Sequence, residues 1–150
     1  MYKNSFVHYL TKVLVDMMFY CGIVCCVIVP FIMPRLITFL GYSSDIVVPN
    51  TVILILSGLC SLYILWQLKT IFKTLLGGSP FIKPNVSCLR KCSVASFLIA
   101  LIFIVRLCIW FTMAASVIVI IFSLLGLFCL TLKDVFKQAV AYKEENDWTV

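Results

Sequence analysis

The stretch SVASFLIALIFIVRLCIWFTMAASVIVIIFSLLGLFCLTL, residues 93–132, runs for 40 residues with a single charge, Arg106. As one helix it would be about 60 Å long, twice the roughly 30 Å of a bilayer's hydrocarbon core. It predicts two membrane-crossing helices folded into a hairpin, with the bend near Ile109–Ser116, where Trp110 suits a membrane interface.

Toward the N-terminus the same pattern recurs. Residues 17–34 and 46–68 carry no charge, and each run is long enough to cross a bilayer. The sequence therefore predicts an all-α integral membrane protein, a single domain of four transmembrane helices arranged as two hairpins. The spans are expected at about 13–34, 50–68, 90–110 and 113–132. Pro30 and Pro34 loosen the far end of the first span, and Asn50 is placed to cap the second. Between the hairpins lies a loop, 69–89, into which the second helix extends amphipathically as far as Gly77 and Gly78. Asn85 or Ser87 is expected to cap the third helix, and the tail, 133–150, is amphipathic through Tyr142 and then polar. Met1–Leu10 lacks the apolar core and cleavage site of a secretory signal, so the first apolar stretch is read as a retained helix.

The composition agrees: 63% of residues are hydrophobic, 12% are charged, and the mean hydropathy is +1.15, against roughly 25% charged in ordinary globular chains. This argues against a soluble enzyme domain, a disordered regulator and a free-standing nucleic-acid binder. Ten of the 12 Lys and Arg residues fall at the N-terminus, in 69–92 or in the tail, leaving Arg35 and Arg106 for the other side. The positive-inside rule then places both termini and the central loop in the cytoplasm of a multipass cell-membrane protein. The net charge of +6 is read as affinity for anionic headgroups, with no direct nucleic-acid partner.

Charges inside apolar spans are costly and are the first candidates for function. Asp16 lies four residues after Lys12, on the same helical face, and is expected to pair with it near the interface. Arg106 can snorkel outward, pair with Asp45 or line a cavity. Six of the eight cysteines sit in apolar runs and are read as small hydrophobes. Cys88 and Cys92, at i and i+4 among cations, admit a thiol-redox reading. A structural zinc site wants four Cys or His ligands, and His8 is the only histidine. No cofactor or metal is expected. The chain has none of the motifs G-x-S-x-G, H-E-x-x-H or G-x-x-x-x-G-K-[ST], so no enzymatic activity is expected. Ser57 and Ser61, flanking Gly58, read as a close-packing face.

Two segments carry a resemblance. Leu68-Lys-Thr-Ile-Phe72 leads through Gly78-Ser-Pro-Phe81 to Asn85 and Leu89-Arg90. Phe136 leads to the terminal Glu144-Glu-Asn-Asp-Trp-Thr-Val150. With four apolar spans, this resembles the YoaS-like family of small bacterial membrane proteins, a domain of unknown function, although Trp148 stands where leucine is commoner. The resemblance implies four helices, a Pro-Phe cytoplasmic loop, an acidic end, and a link to a cytoplasmic helix-turn-helix regulator. The expected function is a non-enzymatic membrane component that binds such a regulator or another membrane protein, with a second copy of the chain as a further candidate partner. The rivals are a transporter subunit or small-solute permease, and a redox protein using Cys88 and Cys92. The candidate functional residues are Asp16, Arg106, Pro80, Phe81, Asn85, Arg90, Glu144, Glu145 and Asp147. Within them, Arg90 or Lys91 is expected to dock the acidic tail, with Pro80-Phe81 as a rigid turn.

Overall fold

Four helices account for almost all of residues 6–41, 44–77 and 81–148, the part of the chain described by the computed structural model. They are α1 (Phe6–Phe39), α2 (Val47–Leu76), α3 (Lys83–Ile109) and α4 (Met113–Trp148). No strand occurs among the described residues, and all four helices are long and apolar enough to cross a membrane. The fold is an all-α, membrane-type arrangement. Its surface matches lipid: Met17, Phe31, Trp66, Val94, Leu101, Ile120 and Leu124 are exposed along the shafts, which in water would be a severe aggregation liability.

The helices are longer than the sequence implied, and the reasons are local. Pro30 and Pro34 lie inside α1, which continues to Phe39. The helix stops instead at Gly41, whose φ of +73° is left-handed, a conformation that suits glycine after a helix. Asn50 is not a cap. A short 3₁₀ turn, Ser44–Ile46, leads into α2, and Pro49 falls in the first turn, where no N–H is needed. Much of the loop expected over 69–89 is helical, because α2 persists to Leu76 and α3 begins at Lys83 with Pro84 in its first turn. Asn85 is therefore inside α3, and the residue before the helix is the extended Ile82, with no side-chain cap. The bend between α3 and α4 falls at Trp110–Thr112, within the expected stretch. There the Thr112 carbonyl accepts from the Ala115 and Ser116 amides at 3.0 and 3.2 Å. The tail is not a polar coil through its described length: α4 runs unbroken to Trp148.

Among the described residues the packing is serial: α1 lies on α2, α2 on α3, and α3 on α4, with α1 touching neither α3 nor α4. Helix α3 is the most buried and α1 the least. The reason is in the side chains of α3. Cys92, Ser93, Ala95, Ser96 and Ala100 are small and buried, letting neighbouring backbones approach where lipid supplies no hydrophobic drive. Ile64 of α2, Ile99 and Phe103 of α3, and Ala115 and Cys129 of α4 fill the seam. Cys88 and Cys92 are also buried, Cys92 with its Sγ 3.9 Å from the Ile64 carbonyl, so they are packed rather than presented to solvent.

Contacts across the helices fix their register. Asp16 meets Lys69, Thr74 meets Asn85, and Asn50 meets Arg106. This sets Lys12 and Asp16, Lys69 and Lys73, Arg90 and Lys91, and Lys133 and Asp134 at one level of the bundle. A second polar level, at Asn50 and Arg106, lies about 28 Å away along α2, close to the thickness of a hydrocarbon core. Beyond the basic level α2, α3 and α4 all continue, α4 furthest.

Candidate functional site

Three polar constellations stand out from the apolar bundle. The first is at the end opposite the basic level. Arg106, in the last turn of α3, donates from Nε to Asn50 Oδ1 at 3.1 Å and from Nη1 to Thr112 Oγ1 at 3.2 Å. One guanidinium thus ties the start of α2 to the α3–α4 turn. Its planar fork suits two acceptors at once. This is an inter-helix tie, more specific than snorkelling alone.

The second is on the basic level between α1 and α2. Asp16 Oδ1 lies 2.9 Å from Lys69 Nζ, so the ion pair crosses between helices instead of running to Lys12 along α1. The Lys69 ammonium also sits 5.8 Å from the Phe19 ring centroid and 5.7 Å from that of Tyr20. Rings at that distance attract a cation through their negative faces, so they add to the pull of Asp16 on Lys69. Phe19 in turn meets Trp66 edge-on, 6.3 Å between centroids.

The third, at the basic end, gathers most of the candidate residues. Asn85 is fully buried; its Nδ2 donates to Thr74 Oγ1 at 2.7 Å, and the Thr74 hydroxyl donates to the Ile71 carbonyl at 2.7 Å. The end of α2 is thereby clamped to the start of α3. Phe81 stacks at a tilt on Phe136 of α4, 5.3 Å between centroids. Lys83 Nζ lies 2.8 Å from Glu144 Oε1. The segments that carry the family resemblance, far apart in sequence, therefore meet in space: Phe81 with Phe136, Lys83 with the acidic end.

The tail is docked, but not by the expected cations. Lys83 takes Glu144, whereas Arg90 and Lys91 are exposed and line a groove between α2 and α3. The hairpin register explains this, since Arg90 and Lys91 lie level with Lys133, several turns short of Glu144. Glu145 is exposed on α4. Pro80 and the Asp147 side chain fall outside the described residues. No group of three or more His, Cys, Asp or Glu side chains is arranged to hold a metal among the described residues. Thr74 and Lys83 carry no sequence signal of their own beyond register, and counting back from the α3–α4 bend is what points to Lys83; Asn50, expected as a cap, is instead the acceptor for Arg106.

Both members of the Lys83–Glu144 pair are more than half exposed, so it contributes at most about 1 kcal/mol. Its role is to hold a helix end rather than the fold. Glu144→Lys, facing Lys83 and Lys137 across the same shallow groove, is expected to speed amide exchange several-fold over residues 141–148 while leaving the melting temperature nearly unchanged. Unaltered exchange there would show that the contact holds nothing.

No curated protein and no solved structure matches the chain. A family of proteins of unknown function, DUF2975, matches residues 41–150, which takes in α2, α3, α4 and the whole basic-end constellation and leaves out α1. With so much of its length matched, the chain belongs to the DUF2975 family.

Proposed function

We propose that this is a non-enzymatic multipass membrane protein of the YoaS-like kind whose basic end faces the cytoplasm and holds a regulatory protein on the projecting part of α4. The orientation rests on the positive-inside rule: Lys12, Lys69, Lys73, Lys83, Arg90, Lys91, Lys133, Lys137 and Lys143 lie at one end, and Arg35 and Arg106 at the other. The observation that carries the reading is the form of α4. Past Lys133 it rises a further 22 Å or so, steadied on one side by Phe81 and Lys83. Val135 and Tyr142, seven residues apart and so on one face, remain 53% and 73% exposed. Outside the bilayer, apolar side chains repeated on one helix face are what a partner's groove takes up. A cytoplasmic helix-turn-helix regulator, as the resemblance implies, is the partner this reading names.

A photo-crosslinking amino acid at Tyr142 tests it in intact cells. The expected result is one discrete adduct containing a soluble helix-turn-helix protein, lost when Val135→Asp is added. No adduct, or an adduct unaffected by Val135→Asp, overturns the proposal, and an adduct with a multipass transporter subunit replaces it with the transport reading.

A further inference from the structure

Between α2 and α3, on the side away from α4's seam, lies an open groove of about 550 Å³. Leu59, Tyr63, Val94 and Leu98 form its walls, and the small side chains of Cys60 and Ala95 its floor. At its end on the basic level stand Arg90, Lys91 and Ser87. The groove is therefore amphipathic along its length, apolar in the membrane interior and cationic where headgroups lie. From Ser87 to Leu98 it extends about 16 Å along α3, half the roughly 30 Å hydrocarbon core, which is the depth of a single leaflet.

The charge of the groove is uncompensated. Lys69 has Asp16 and Lys83 has Glu144, but Arg90 and Lys91 have no acidic partner among the described residues. Two adjacent cations at headgroup level, joined to an apolar groove one leaflet deep, match an amphiphile with an anionic head and an alkyl chain. Basic pockets between membrane helices bind lipid headgroups through this combination. Arg supplies a planar fork for phosphate oxygens, Lys a mobile point charge, and the Ser87 hydroxyl a further donor.

We propose that this groove is a binding site for one anionic phospholipid, its phosphate held by Arg90 and Lys91 and one acyl chain lying between Leu59 and Leu98. The assignment does not depend on which side of the membrane the basic end faces, nor on the partner proposed for α4, whose contact residues are Val135 and Tyr142.

The probe is phosphatidylglycerol diluted into phosphatidylcholine nanodiscs holding the full chain, with retained lipid counted by native mass spectrometry after release. Wild-type protein is expected to retain a single phosphatidylglycerol, enriched on the order of tenfold over its bulk fraction, since each basic side chain near the headgroups adds several-fold. Arg90→Gln with Lys91→Gln is expected to bring that enrichment close to unity, while Lys137→Gln leaves it unchanged. Equal enrichment in wild type and the double variant, or an equal loss in Lys137→Gln, overturns the site. A measurement on wild-type protein alone guards against a variant that fails to fold. Phosphatidylglycerol with a photoreactive acyl chain should label residues 59–63 and 94–98 above all others, and labelling spread evenly over α1 and α4 overturns the site as well.

Discussion

Asn85→Leu is expected to cost about 2–4 kcal/mol of stability, measured by denaturant titration in detergent micelles. Deleting the amide removes its hydrogen bond to Thr74 and any others it makes, at about 1 kcal/mol each. The larger, apolar leucine must then fit a position with no exposed surface, and overpacking of that kind costs about 1–3 kcal/mol. Thr74→Val tests the other side of the contact. It leaves the buried amide without its 2.7 Å acceptor, which costs about 1–3 kcal/mol.

The pair is informative because each loss is partly the same loss. The double variant Thr74→Val, Asn85→Leu should therefore fall short of the sum of the singles by about 1 kcal/mol, as expected for groups in direct contact. Full additivity would mean that the two side chains do not act together. A single-variant cost below about 0.5 kcal/mol for Asn85→Leu would mean that the end of α2 and the start of α3 are held together by something else. Since Asn85, Phe81 and Lys83 all lie within the family match, their contacts are also the part of this molecule on which its relatives can be compared.

How much of this was legible in the chain itself varies with the physics involved. The α3–α4 hairpin followed from the near-absence of charge over 93–132, because hydrocarbon thickness is a hard ruler. Helix ends were less legible. Pro34 looked like a stop, yet the end was set by Gly41, because proline within a long apolar helix removes a bond or two while a left-handed glycine redirects the chain. Asn50 and Asn85 both looked like caps by residue type, and both turned out to be partners across helices, of Arg106 and Thr74. Capping preference is a local signal, and these residues were claimed by a neighbouring helix. The ion pairs went the same way: Asp16 had a candidate at Lys12 by helical spacing but is held by Lys69, whose position depends on helix register that composition does not encode.

Gly58→Leu is expected to separate α1 from the rest of the bundle. A Cβ at Gly58 would lie 2.7 Å from Cys26 Sγ, and one at Gly22 would lie 2.9 Å from Leu62 Cδ2, so α1 and α2 approach over two glycines. Ser57 and Ser61 flank Gly58 as the close-packing reading required, but each turns its hydroxyl back to its own helix, to the Leu54 and Ser57 carbonyls. No hydroxyl bond to α1 is therefore seen from either serine. Nor does the Asp16–Lys69 pair suffice, since it is a single contact between two long helices. Because α2 is the one long helix on which α1 packs among the described residues, an overpacking cost of about 1–3 kcal/mol acts on the interface that seats it. Spin labels at Lys12 and Lys73 should report one short distance in wild type and a longer, broader distribution in Gly58→Leu. In Gly58→Ala the shift should be partial, because the obstructing sulfur ends a side chain that can rotate. The melting of α2–α4 should change little, since Asn85 and Arg106 bind those helices without α1. An unchanged distance in Gly58→Leu would show that aromatic and ionic contacts at the basic level, rather than glycine-mediated approach, seat the first helix.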